Sequence, residues 1–110
     1  MTKLQTRDSS IDELWIGLAK VEQSSSNGVL GDARGAYSNA IGIADSRGSF
    51  RSKVRKALAE LGLRLVRLED AETLQVRLTK YSIDSDLKKV VEEAKNTGRI
   101  GFGTFHAFEK

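Results

Sequence analysis

Residues 12–22, DELWIGLAKVE, and residues 36–45, AYSNAIGIAD, decide the fold. Both alternate with the period of a β-strand. In the first, Leu14, Ile16 and Leu18 share one face, and Trp15, Gly17, Ala19 and Val21 share the other. In the second, Ala36, Ser38, Ala40, Gly42 and Ala44 make a face of small residues, opposite Tyr37, Asn39, Ile41 and Ile43. The small face and the Gly17/Ala19 face let a helix backbone come close. The Leu14/Ile16/Leu18 and Tyr37/Ile41/Ile43 faces align across an antiparallel pair as one apolar surface. Each large apolar side chain gains about 1.5–3 kcal/mol on burial, so a pair apolar on both sides needs cover on both.

The sequence leaves open which face the helices take. It predicts helices on one face and a partner on the other, most simply a second copy. The expected interface is Leu14, Trp15, Ile16, Leu18, Tyr37, Asn39, Ile41 and Ile43. Trp15 is expected in the core, against the first helix, and counts as an interface anchor only if it lies on the open face with Tyr37.

Between the strands runs the polar loop Gln23–Gly35, long for a hairpin. It holds Asp32 and Arg34 between glycines, a polar pair able to face a ligand. Phe50, Val54, Ala57, Leu58 and Leu61 then recur at helical spacing, with Asp45, Ser46 or Ser49 to cap and Gly62 to stop. A short strand is expected over Leu63–Glu69. Within Ala71–Tyr81, Leu74, Val76 and Leu78 alternate as in a strand, but Leu74, Leu78 and Tyr81 also fit a helix, and the short helix is the expectation, with Asp70 as its cap. A second long helix is expected over about Asp84–Thr97, with Leu87, Val90, Val91 and Ala94 inward. A last strand, Arg99–Phe108, would place Phe102, Thr104, His106 and Phe108 together. The fold class is α+β: a four-stranded mixed or antiparallel sheet with two main helices on one face. That is a ferredoxin-like layer in a non-standard order. Residues 1–10 are expected to be a flexible arm, and 11–110 one α+β domain.

The chain has 110 residues, no Cys and a formal charge of +3. It contains no apolar run long enough to span a membrane and no secretory leader, so a cytoplasmic protein is expected. The charge is uneven. Arg47, Arg51, Lys53, Arg55, Lys56, Arg64 and Arg67 face a single acid, Glu60, a local +6 that leaves −3 on the rest. Such a field attracts phosphates or an acidic protein.

Chemistry-bearing patterns are sparse. His106 is the lone histidine, and no Asp/Glu spacing forms a metal loop. Gly101 and Gly103 sit inside a strand, where they make no phosphate cradle. No cofactor or metal is expected. Phe102, His106 and Phe108 on one open face could stack bases. The run resembles the RNP1 strand of RNA-recognition motifs only in its aromatics. Thr104 stands where an aromatic belongs, so no family is assigned.

Three functions follow in order. The first is a small non-enzymatic protein-interaction module, homodimeric or acting on a cognate protein as immunity proteins do. The second is a basic single-stranded nucleic-acid binder using the Arg47–Arg67 field. The third is a small-ligand binder or enzyme with a pocket lined by Trp15, Tyr37 and His106.

Overall fold

The computed structural model describes residues 12–23 and 34–108. Strands β1 (Glu13–Gln23) and β2 (Gly35–Ala44) pair antiparallel, with Ile16 opposite Ile41 and Gly17 opposite Ala40. The helix α1 (Arg47–Glu60) leads to β3 (Leu63–Thr73), which pairs antiparallel with the other edge of β1. The short α2 (Leu74–Leu78) and the longer α3 (Ser85–Thr97) follow, then β4 (Gly101–Phe102) and β5 (His106–Phe108). These last two share the outer edge of β2, so the antiparallel sheet runs β3-β1-β2-β4, with β5 pairing a separate stretch of β2 on that same edge.

The sheet carries helices on both faces, not on one. On the small-residue side, Phe50, Val54 and Leu58 of α1 pack against Ala19, Val21, Ala36, Ala40 and Ala44. On the other side, Leu74 of α2 and Val91 and Ala94 of α3 close over Ile16 and Ile41. The physical reason is the one the hairpin itself imposes. Both of its faces are apolar, and the chain has enough amphipathic helix to cover each. The apolar surplus is therefore met within one chain and is no ground for a second copy.

Helix termini follow local chemistry. Ser46 Oγ accepts from Ser49 N at 3.1 Å at the start of α1. Asp84 Oδ1 accepts from Leu87 N at 2.8 Å at the start of α3, and Gly98 ends α3 at φ 73°, where a side chain would be strained. Thr73, not Asp70, caps α2.

Asp70 has another task. Strand β3 continues to Thr73 rather than stopping at Glu69, because it bulges. Between Glu69 and Glu72 it carries one residue more than β1 opposite it, and Asp70 takes φ 55° there. Two arginines clasp the bulge: Arg77 donates to Asp70 O at 2.9 Å and Arg47 Nε to Ala71 O at 3.2 Å.

The expected last strand is broken. Ser38, almost fully buried, donates from Oγ to Gly103 O at 3.0 Å, and Gly103 N donates to Asn39 O at 2.9 Å. The chain bends there and re-enters the sheet as β5. Phe102 therefore lies on the α1 side beside Phe105, while His106 and Phe108 lie on the α3 side. The three do not form one aromatic face.

Candidate functional site

Register places three cross-strand rows on the α3 side of the sheet, beyond the cluster that α2 and α3 cover. The outermost row reads Arg64, Glu22, Gly35 and Phe108. The next reads Arg67, Lys20, Tyr37 and His106. The third reads Glu69, Leu18 and Asn39. The row after it, with Ile16 and Ile41, is already buried. One half of this face is thus core, and the other half is an open, mixed-polarity surface.

Aromatic rings form its centre. Tyr37 and Phe108 pack with centroids 5.5 Å apart, and the Lys20 ammonium lies 5.9 Å from the first ring centre and 5.5 Å from the second. Such cation–π contacts contribute about 0.5–1 kcal/mol at exposed sites. Gly35 makes room for Phe108. A β-carbon on Gly35 would lie 2.6 Å from Phe108 Cζ and 2.5 Å from Val21 O.

Charges surround the rings. Arg64 pairs with Glu22, and Arg67 with Glu69. The hydrogen bond and charge of Glu69, with Tyr37 adding to them, hold the Arg67 guanidinium above its already high range. Lys20 has no carboxylate partner among the described residues.

Asn39 sits at the border between the open and covered halves. On one side of it a cleft runs to Asp84, Leu87, Thr104 and His106. On the other a cleft runs to Leu18, Glu72, Arg77 and Tyr81. In that second cleft Glu72 accepts from Arg77 and from Lys80 Nζ, the latter at 2.9 Å. Those two cations hold the Glu72 carboxyl below the usual glutamate range, Arg77 contributing most.

The residues singled out from sequence divide four ways. Ile16 and Ile41 are fully buried, and Leu14 packs half-buried on their cluster. Ile43 is half-buried opposite Leu14, on the same face. Trp15 lies on the opposite side, stacked on Phe50 with its Nε1 donating to Ala44 O at 3.1 Å. Leu18, Tyr37, Asn39, His106 and Phe108 do come together on the open half. Because Trp15 faces away from Tyr37 and His106, the three cannot line one pocket. Arg34 is exposed at the start of β2, and Asp32 lies outside the described residues, as do residues 1–10 and most of the loop.

The basic segment is not one field. Arg47, Arg51, Lys53, Arg55 and Lys56 belong to α1 on one side of the sheet, and Arg64 and Arg67 project on the other. Leu63 and Leu65 turn to α1, so Arg64 turns away, and a register shift between Lys20 and Val21, which leaves Val66 extra in β3, turns Arg67 to the same side as Arg64. Lys53 is also engaged, donating to Ile43 O at 2.9 Å.

Lys20, Glu22 and Glu69 were not legible as site residues. Single charged positions on a strand gain meaning only from the partner strand's register. Among the described residues, no group of three or more His, Asp or Glu could hold a metal ion. No helix among the described residues is long and apolar enough to cross a membrane. Comparisons with protein-family models, curated proteins and solved structures find no match.

Proposed function

We propose that this chain is a protein-interaction module that self-associates through the open half of its α3-side sheet face. The observation that carries the reading is the Tyr37–Phe108 pair with Lys20 laid over it, on a part of the sheet that no helix among the described residues covers. Aromatic and arginine side chains are the anchors of protein interfaces. The surrounding charges favour a second copy over a partner of one sign. Arg64 and Arg67 stand beside Glu22 and Glu69, so the patch is complementary to itself after a two-fold rotation. A phosphate backbone fits less well, because both arginines of the patch already hold carboxylates and such binding rests on cations free to exchange counterions.

Size sets the strength. Strands about 4.8 Å apart and rows about 7 Å apart make a patch roughly 20 Å on a side, at the small end of specific interfaces. Association is therefore weak and concentration-dependent. Sedimentation equilibrium from micromolar to millimolar protein tests it. The expected result is a rise in mass from one toward two 12.1 kDa chains. Arg67→Glu should abolish the rise, and adding Glu69→Arg should restore it. A constant monomer mass across that range would overturn the reading.

A further inference from the structure

On the opposite side of the sheet, we infer that the groove between α1 and the Gly98–Phe102 segment docks an acidic amphipathic helix of a partner protein. This surface goes beyond the self-association proposed above and shares no residue with it.

The floor of the groove is apolar. Ala57 and Leu61 of α1 form one wall, and Ile100 and Phe102 form the other. Leu61, at the C-cap of α1, leaves 37% of its surface in solvent, though it is a large hydrophobic residue. The rim is cationic, with Lys53, Lys56 and Arg99 against Glu60 alone. Lys56 and Arg99 are exposed and have no carboxylate partner among the described residues. This contrasts with the far side of the sheet, where both arginines of the patch are paired within the chain.

Charge complementarity selects the occupant. Exposed cations beside an apolar floor match an amphipathic segment with carboxylates along the edge of its greasy stripe. Nucleic acid alone would leave Leu61 and Ile100 without apolar partners. From Lys53 to Leu61 the wall rises about 12 Å at 1.5 Å per residue, room for roughly two turns of a docked helix.

The test uses the whole chain and a fluorescent synthetic peptide, with leucines at i, i+3, i+4 and i+7 and glutamates at the flanking positions. Anisotropy should show saturable binding that weakens with added salt. Lys56→Glu combined with Arg99→Glu should weaken it about tenfold. Leu61→Asp should weaken it as well. Both variants change exposed side chains, and an unchanged circular dichroism spectrum establishes that they remain folded. Arg67→Glu should leave peptide binding intact, so the two surfaces succeed or fail separately. The inference is overturned by no binding at low salt, or by equal binding of a scrambled peptide of the same composition. Equal binding to the charge-reversed variant, or preference for a single-stranded oligonucleotide at the same residues, would also overturn it.

Discussion

The indole of Trp15 stacks on the ring of Phe50, with centroids 6.1 Å apart and planes 28° apart. This contact ties the first strand to the helix that follows the second. Beneath it the sheet offers only Gly42, Ala40 and Ala44, so the two rings supply bulk the small-residue face lacks. Phe50 is fully buried. Phe50→Ala should therefore cost about 3–5 kcal/mol, as deletion of a buried aromatic does. Because Trp15 is the sole tryptophan, its emission reports directly. The variant should unfold at lower denaturant, with native fluorescence shifted to the red. An unchanged midpoint would mean that α1 is not anchored by this pair.

Two glycines should respond in opposite directions to alanine. At Gly35 the added carbon would meet a backbone oxygen, Val21 O, at 2.5 Å, and cannot be accommodated by a side-chain rotation. Gly35→Ala should destabilise by about 1–3 kcal/mol and displace Phe108 from Tyr37. At Gly48, in the first turn of α1, nothing lies within 4 Å of the added carbon. Gly48→Ala should stabilise by about 0.4–1 kcal/mol, through lost freedom of the unfolded chain. Thermal melts of the two variants check both signs.

Much of the fold was legible because it is local. The alternation of β1 and β2 gave the hairpin and its shared faces, and the apolar stripes gave α1 and α3. What escaped was non-local. No periodicity says that α3 crosses to the face opposite α1, nor that a buried Ser38 will bend the last strand at Gly103. The bulge at Asp70, which lengthens β3, depends on arginines that arrive from α1 and α2. The candidate site divides in the same way. Tyr37, Asn39, His106 and Phe108 could be named from their strands alone. Lys20, Glu22 and Glu69 needed the pairing of β1 with β3.

Ser38 offers a test of the bend. Its hydroxyl is the buried link from β2 to Gly103 O. Ser38→Ala removes the donor and leaves that carbonyl without it, at a cost of about 1–3 kcal/mol. The loss should fall on the C-terminal segment first. Hydrogen exchange at Ala107 and Phe108 should quicken more than exchange at Ile16 or Val21 in the central strand. Uniform acceleration across the sheet would assign Ser38 to the general core rather than to the bend.

Acid should expose the Glu72 network. The carboxylate accepts from Arg77 and Lys80, and these hold its pKa below the ordinary glutamate value of 4.5. In the unfolded chain the group returns to that ordinary value. At low pH the unfolded state thus binds a proton more readily than the folded state. The stabilisation is complete above the ordinary value and drains away as pH falls through the folded one. Glu72→Gln removes the titration while keeping the shape. The variant should be less stable than the parent at neutral pH, and its stability should fall less steeply on acidification from pH 5 downward, as followed by urea midpoints. Parallel curves for the two proteins would show that Arg77 and Lys80 add nothing through charge. In that case the clasp at the β3 bulge would rest on the Arg77 contact to Asp70 O and the Arg47 contact to Ala71 O.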